Sequence, residues 1–367
     1  MADSRQFVFG PGVVYATLGT YTDGTAPTIP QPRKIDVLQE LSVDFDLTIK
    51  RLTGQNIFPE AIGIGEGKVT GKIKNGRFNS GMINDTVFGS NGGITSGRTL
   101  VADPPESHYP VTAAPTNGTL TSTAAGSLTA TTYYVRSTWV NSTTGDESPA
   151  AVETNLACLA NLVLNVAAPA SPPAWATGWN VYVSNTSGGG AGAETKQNTT
   201  PIALTSAWVE PASGLIAGTA LPTITVNTST VVNASTFLGD LGVAYASSGI
   251  FLQPVASSPS VGQYSVAAGV YTFNAADAGV NVLIGYAYTA TSGYTVTINQ
   301  TVQGAVGIFG LRYQGRYANR RIGLWLPNCV SNKFSIPTKQ QDFVMSEIDF
   351  EAFAGPSGNV GYLYLAE

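Results

Sequence analysis

Apolar and polar residues alternate most regularly in the first quarter of the chain, where every second position is apolar through Val43, Phe45, Leu47 and Ile49. This period of two predicts a strand with one buried face and one polar face. The run KVTGKIKNGRF predicts a second strand. Paired antiparallel, the two strands could set Phe45 opposite Ile73. The same register would set Asp46 opposite Lys72, so that one face is apolar and the other carries opposite charges.

The segment between these strands, LTGQNIFPEAIGIGEG, is too long for a tight hairpin turn. Its apolar residues are flanked by glycine and proline, which predicts a loop with exposed apolar side chains. Such a loop either folds back over its own core or contacts a partner surface. The apolar residues are Ile57, Phe58, Ile62 and Ile64.

The N-terminal segment predicts an arm that does not pack as a regular element and crosses to another surface, because glycine and proline punctuate it. These residues are Gly10, Pro11, Gly12, Pro27, Pro30 and Pro32.

One short helix is predicted in SGMINDTVFG. Ser80 is placed to cap its first turn, Ile83 and Val87 lie four apart on one face, and Gly89 is placed to end it. A single short helix with one apolar face is expected to pack on a sheet.

The chain after residue 226 predicts a succession of strands, because short alternating runs are divided by turn sequences. The runs are YSVAAGVYTF, VNVLIGYAYT, TVTINQTV, RRIGLWLPNC, KFSIPTKQQDF, SEIDFEAFA and VGYLYLAE. In SEIDFEAFA, three carboxylates share one strand face: Glu347, Asp349 and Glu351. They repel one another unless water or a basic partner lies opposite.

Charge is nearly absent from residues 112–225, which suggests an inserted domain. The charged residues there are Arg136, Asp146, Glu147, Glu153, Glu194, Lys196 and Glu210. Short strands bounded by turn clusters are typical of a small sandwich similar to a fibronectin type III or immunoglobulin-like domain. Its predicted core aromatics are Tyr134, Trp139, Trp179 and Tyr182. Residues 1–111 and 226–367 are then one discontinuous host domain.

Composition supports a mainly β protein with enough apolar residues, 43%, to build buried cores. The net charge of −5 argues against a nucleic-acid reader, which needs a basic surface. Cys158 and Cys329 fall in different predicted domains, so buried free thiols are favoured over a disulfide between them. The N-terminus shows no secretory signal, and no apolar run approaches the length of a membrane span, so neither Sec export nor membrane insertion is expected.

Catalytic chemistry has no clear candidate in this sequence. The single histidine, His108, lies in a proline-rich segment and is expected to be solvated. Glu347 and Asp349 would be spaced by the strand at about 7 Å, with no pocket predicted between them. SNTSGGGAGAET lacks the lysine and the following helix of a phosphate-binding loop. No enzymatic activity, cofactor or metal site is predicted.

Four segments, taken together and in order, resemble the major tail tube proteins of long-tailed bacteriophages. They are LTGQNIFPEAI, GKVTGKIKNGRF with SGMINDTVFG, YTFNAADAGVNVLIGYAY, and the C-terminal stretch from LPNCVSNKFSIPTKQQDF to VGYLYLAE. Each is only a strand with a turn, and the match rests on their succession over most of both flanks. The insert departs from the pattern of many such proteins.

The resemblance implies a tail-tube β-sandwich or barrel flanked by one helix. Six copies would form a ring, and stacked rings would form the conduit for viral DNA. The implied partners are copies of the chain and other tail proteins (tape measure, tail terminator and distal tail), while DNA passes without specific binding. The implied location is the virion, with assembly in the host cytoplasm and the insert on the outside of the tube.

Two groups of residues are candidates for this role. Glu347, Asp349 and Glu351 could face the channel, since a carboxylate wall does not hold duplex DNA; alternatively, they pair with Arg316, Arg320 or Arg321. The candidates for contacts between subunits or rings are Ile57, Phe58, Ile62, Ile64, Val13 and Tyr15. The alternative function is a carbohydrate-binding virion adhesin or decoration protein that acts through the immunoglobulin-like domain.

Overall fold

The computed structural model describes residues 10–21, 32–55, 57–88, 93–186, 193–298, 307–317, 320–338 and 340–366. Several features discussed above lie outside these residues: Pro27 and Pro30 of the predicted arm, Gly89, the glycine-rich segment 187–192 and the end of the TVTINQTV run. The described part is mainly β with a single α-helix, which confirms the predicted fold class.

The elements are numbered in chain order. The first strands and the helix are β1 (Val13–Tyr21), β2 (Pro32–Lys34), β3 (Leu38–Leu52), β4 (Ala61–Asn75), α1 (Ser80–Thr86), β5 (Ile94–Val101) and β6 (Glu106–His108). There follow β7 (Leu120–Ala124), β8 (Thr131–Val140), β9 (Thr154–Cys158), β10 (Leu162–Val166), β11 (Gly178–Ser184), β12 (Thr195–Lys196), β13 (Ile202–Ala203) and β14 (Trp208–Val209). The next are β15 (Thr228–Thr230), β16 (Phe237–Tyr245), β17 (Gln253–Pro254), β18 (Gln263–Ala267), β19 (Val270–Phe273) and β20 (Val282–Val296), with 3-10 helices at Ala234–Thr236 and Ala275–Asp277. The last are β21 (Gly307–Tyr317), β22 (Arg320–Ser335), β23 (Ser346–Ala352) and β24 (Tyr362–Ala366).

The chain forms two compact units, which divide it at other positions than the sequence analysis did. The first unit is Met1–Arg98 with Thr291–Glu367, and the second is Thr99–Ala290. Residues 99–111 and 226–290, predicted to belong to the host domain, therefore group with residues 112–225. The chain passes between the units in β5 and β20, which are neighbours in one sheet.

The first unit is built on one sheet of eight strands. Their order is β2-β1-β21-β22-β23-β4-β3, and β24 pairs with β22. One face of the sheet holds an apolar core that includes Leu311, Leu326, Ile348 and Phe350, with Met82 of α1 in the same cluster. Alternation along each strand places the polar residues of these strands on the opposite face.

Helix α1 packs against this core as predicted, but its cap differs from the prediction. Ile83 is buried, and Val87 packs against the cluster. The N-cap is Asn79 rather than Ser80, and its side chain accepts a hydrogen bond from the backbone N–H of Met82. The change follows from the extended backbone of Asn79, since Ser80 already has helical geometry and cannot serve as the cap. Arg33 of β2 forms an ion pair with Asp85 of α1, in which Arg33 Nε lies 2.7 Å from Asp85 Oδ2.

The β3–β4 hairpin is longer than predicted and has another register. Phe45 lies opposite Val69, not Ile73, and Asp46 lies opposite Lys68, not Lys72. The reason is that residues 61–67, which the sequence analysis placed in a loop, continue β4 and pair with β3 as far as Leu52. Only residues 53–60 connect the two strands.

Part of the predicted N-terminal arm is also regular structure. Val13–Tyr21 forms β1, which pairs with β21 on one side and β2 on the other. Gly10, Pro11 and Gly12 precede β1, and Pro32 begins β2, whereas Val14 and Ala16 alternate into the core. The prediction of an unpaired arm is therefore wrong for these residues.

Within the second unit, residues 112–225 form two sheets around their own apolar core. One sheet has the order β14-β10-β7, and the other has β12-β11-β8-β9 with β13 on β11. The core contains Trp139 and Trp179, as predicted. Tyr182 is buried, but Tyr134 is only half-buried, and its neighbour Tyr133 takes the core position because the alternation of β8 runs the other way.

Residues 99–111 and 226–290 contribute a third apolar core, which the sequence analysis did not predict. It lies between the sheet β15-β19-β18-β17 and the sheet of β16, β20, β5 and β6. Its aromatic members include Tyr264, Tyr271, Phe273 and Tyr286. Tyr264 packs against both Tyr271 and Phe273, with ring centres 5.8 and 6.4 Å apart.

Candidate assembly surface

The outer part of the β3–β4 hairpin carries an apolar face that no other part of the described chain covers. Ile49 lies directly opposite Ile64, and alternation places Phe45, Leu47 and Ile62 on the same face. These five side chains are between 56% and 73% exposed. An exposed contiguous apolar face of this kind is unusual for a soluble monomer and marks an interaction site.

This face is the outward continuation of the core face. Leu41, Val43 and Val69 still pack against the apolar core of the first unit. From Phe45 outward, the same side of the hairpin loses its cover, while the strands keep pairing to Leu52. The alternation of apolar and polar residues thus continues along the hairpin beyond the part whose apolar side chains pack in the core. We call the exposed apolar face, defined by the five residues above, the hairpin face.

The tip of the hairpin is also apolar. Ile57 is 95% exposed, and Phe58 is 79% exposed. The sequence analysis left open whether the segment covers its own core or meets a partner. The exposure of both side chains shows that they do not cover the core.

A groove of about 760 Å³ runs between the base of the hairpin and the start of β24. Phe45 and Leu47 lie on one side, and Tyr362 and Leu363 on the other. Leu326 of the core also lines the groove, so its floor is continuous with the core. The sequence analysis predicted VGYLYLAE as a strand but did not predict this groove.

Val13 and Tyr15, the other predicted contact residues, lie on the polar side of the sheet and are partly exposed. They line a second groove of about 510 Å³ together with Trp325 and Tyr364. The guanidinium of Arg312 lies 4.3 Å from the centre of the Trp325 ring, close enough for a cation–π contact. The structure does not bring these two residues together with the hairpin tip, so the predicted contact residues form two separate surfaces.

The predicted carboxylate row lies on the polar face of β23 and is paired with lysines. Lys72 Nζ lies 3.1 Å from Glu347 Oε2. Lys333 Nζ lies 3.8 Å from Asp349, and Lys68 Nζ lies 3.7 Å from Glu351. The register brings β4 beside β23, with Lys74 opposite Glu347 and Lys72 opposite Asp349.

The cations in these pairs are Lys68 and Lys72 of β4 and Lys333 of β22. The part of β22 that pairs with β23 is Cys329–Ser335, whereas Arg321, near the other end of β22, lies opposite Ala366 of β24. Arg316 lies on β21, where it is opposite Arg321 of β22. The hydrogen bond from Lys72 lowers the pKa of Glu347. Desolvation opposes this effect, and the charges of Lys72, Lys74 and Lys333 lower the pKa further. The polar face is therefore a ladder of mixed charges.

His108 is buried, contrary to the prediction that it is solvated. Its Nδ1 lies 2.9 Å from Asp146 Oδ1, and its Nε2 lies 3.2 Å from Glu106 Oε2. The prediction failed because Asp146 is 38 residues away in sequence, and only the fold brings it beside the imidazole. Cys158 and Cys329 are buried free thiols, as predicted.

Neither a metal site nor a membrane-spanning helix is evident in the described residues. No group of three or more histidine, cysteine, aspartate or glutamate side chains there has the arrangement of a metal site. None of the helices formed by these residues is both long and apolar enough to cross a bilayer.

No protein-family model matches the chain, and no curated protein matches it.

Proposed function

We propose that this chain is the structural subunit of a bacteriophage tail tube, assembling with copies of itself into stacked hexameric rings that conduct viral DNA. The observation that carries the proposal is the hairpin face, an apolar surface on a regular two-stranded element with no cover from the described residues. Function then arises from the geometry of assembly and not from an active site.

The energetics of the hairpin face favour a partner. Burial of a leucine, isoleucine or phenylalanine side chain is worth about 1.5–3 kcal/mol relative to full exposure. The five side chains are more than half exposed, so a partner that covers them would gain about 1 kcal/mol or more from each. A closed ring also removes the unpaired strand edges that make an isolated sheet prone to aggregation.

Contacts between subunits are assigned to two surfaces in this proposal. The hairpin tip with Ile57 and Phe58, together with Ile62 and Ile64, meets one neighbour. Val13 and Tyr15 of the second groove meet another, so one subunit offers two distinct patches. Two different patches are what head-to-tail association requires, whereas a two-fold dimer needs only one.

The polar face of β23 lines the channel in this proposal. Lysines that are paired with Glu347, Asp349 and Glu351 are less available to phosphate groups than unpaired lysines would be. DNA with about one charge per 1.7 Å would therefore slide along the wall instead of being held. Residues 112–225 decorate the outside, the remaining partners are other tail proteins, and the subunit is made in the host cytoplasm before it joins the virion.

Electron microscopy of the purified chain tests the proposal. We expect rings or tubes with a central channel, and discrete monomers or trimers at every concentration would contradict it. The double variant Ile62→Ser, Ile64→Ser should keep its fold, because both side chains are exposed in the single chain, but should lose the rings.

Phe251→Ser is the matched control. Phe251 is 74% exposed, as exposed as Ile64, but it belongs to the second unit. This variant should form rings like the unmodified chain. Equal loss of assembly in both variants would show that the hairpin face has no special role.

A further inference from the structure

The single histidine of the chain sits between two carboxylates inside the second unit. His108 is only 2% exposed, and each ring nitrogen faces a carboxylate oxygen, on Asp146 and on Glu106. A neutral imidazole has one N–H donor and one acceptor nitrogen, whereas the imidazolium has two donors. Both contacts are therefore hydrogen bonds only when His108 is protonated.

Other donors hold the two carboxylates in place. Asp146 Oδ2 accepts hydrogen bonds from the backbone N–H of Tyr109 and from the Thr144 hydroxyl, each at 2.6 Å. Glu106 accepts from the Tyr286 hydroxyl and from the backbone N–H of Val232. The carboxylates cannot turn away from the imidazole without breaking these bonds.

The cluster joins the two apolar cores of the second unit. Asp146 lies in the turn after β8, within residues 112–225. Glu106 and His108 lie on β6, which pairs with β20, and Tyr286 belongs to the third core. His108 thus connects a turn of the immunoglobulin-like part to the sheet of the neighbouring part.

We propose that Glu106, His108 and Asp146 form a proton-dependent lock, which holds residues 112–225 against residues 226–290 while His108 is charged and loosens when it loses its proton. In the neutral state, one ring nitrogen presents a lone pair to a carboxylate oxygen. That contact becomes repulsive in a buried site, where water cannot replace the lost hydrogen bond.

The direction of the pH effect follows from the charges that face the imidazole. Burial lowers the pKa of His108, but the hydrogen bonds and charges of Asp146 and then Glu106 outweigh it and raise the pKa above its ordinary value of 6.5. A raised histidine pKa means that the stabilisation is complete below 6.5 and is lost as pH rises through the folded-state pKa.

Glu106 sets the acid limit of the lock. Burial raises its pKa, but hydrogen bonds from Tyr286, Val232 and His108 outweigh burial and lower the pKa below 4.5. Its contribution is present above 4.5 and is lost as pH falls through the lowered value. Both contributions are therefore complete between pH 4.5 and pH 6.5. The lock opens as pH rises through the raised pKa of His108 or falls through the lowered pKa of Glu106.

Nuclear magnetic resonance of the full chain with isotope-labelled histidine tests the proposal directly, because the only imidazole signal comes from His108. We expect a titration midpoint above 6.5, with protons on both ring nitrogens at pH 6.5. A midpoint at or below 6.5 would overturn the proposal.

Hydrogen exchange of the 141–148 turn gives the second readout. Corrected for the intrinsic pH dependence of exchange, opening should increase about tenfold for each pH unit by which the measured midpoint exceeds 6.5. Glu106→Gln should lower the midpoint and shift the opening to lower pH. Asp240→Asn, a carboxylate change in the third core whose partners are Tyr264 and Tyr271, should leave both unchanged.

If the rate of hydrogen exchange in the 141–148 turn does not change as His108 loses its proton, the lock is also refuted. Should the Glu106 variant fail to fold, the titration and exchange of the unmodified chain still decide the question.

Discussion

At the scale of single residues, close packing decides which positions of the sheet of the first unit accept a side chain. Gly71 of β4 lies beneath the ring of Phe350, and a Cβ there would meet the ring at 2.7 Å or less and the Ser42 carbonyl oxygen at 2.8 Å. Gly63 of the same strand has no heavy atom within 4 Å of the same position. The two glycines look alike in the sequence, but only Gly71 is required by its surroundings.

Gly71→Ala is expected to destabilise the first unit by about 1–3 kcal/mol, because the methyl group overpacks the core and the Ser42 carbonyl cannot move freely. Native-state hydrogen exchange of β4 and β23 measures this loss. Gly63→Ala is the control and should change the stability by no more than about 0.5 kcal/mol. Equal effects of both substitutions would mean that the contact with Phe350 is not tight.

At the scale of elements, backbone geometry decides which polar residue serves α1. Asn79 and Ser80 are both good capping residues, and both precede the apolar face of the helix. The extended backbone of Asn79 turns its side-chain oxygen toward the free N–H of Met82, at 3.2 Å. The β3–β4 hairpin shows the same principle. Its length is set by how far the two strands pair, and not by the glycine-rich composition of residues 61–67.

Asn79→Ala should therefore cost about 1 kcal/mol of stability, the usual loss when a capping side chain is removed. Ser80→Ala is the matched control and should be close to neutral. Urea unfolding of both variants, monitored by hydrogen exchange of α1, measures the difference. A larger effect of the Ser80 substitution would restore the cap predicted from the sequence.

At the scale of the whole molecule, the two compact units suggest where the chain can be cut. Near the junctions, β5 and β20 run side by side, and Thr295 Oγ1 donates to the Gly97 carbonyl at 2.8 Å. The two ends of the first unit are thus already close where the second unit begins and ends. Residues 112–225 alone are a poorer cut, because their removal takes Asp146 away from His108 and removes the core against which Val111 packs.

Replacement of Thr99–Ala290 by a short glycine linker is expected to leave a folded first unit that still forms rings, because its core lies entirely outside the removed residues. Circular dichroism and electron microscopy check the fold and the assembly. A folded product without rings would assign a role in assembly to the second unit. An unfolded product would show that the first unit is not independent.

Much of the fold could be predicted from the local alternation of apolar and polar residues. The run from Val43 to Ile49 determined a strand with an apolar side, SGMINDTVFG determined a helix, and SEIDFEAFA determined a row of carboxylates on one face. These features follow from the period of the backbone, which each segment has regardless of its neighbours. The exposure of Ile57, Phe58, Ile62 and Ile64 was predicted from the glycine and proline that flank them, although Ile62 and Ile64 lie in β4 and not in a loop.

Relations between distant segments were decided only by the tertiary structure. The register of Phe45, the lysine partners of Glu347 and the burial of His108 all depend on which strands become neighbours. Which strands become neighbours depends on packing over the whole sheet, and the sequence of one segment does not contain that information. The alternation in 226–290 likewise predicted strands, but only their mutual packing showed that they build a third core, separate from the core of residues 112–225.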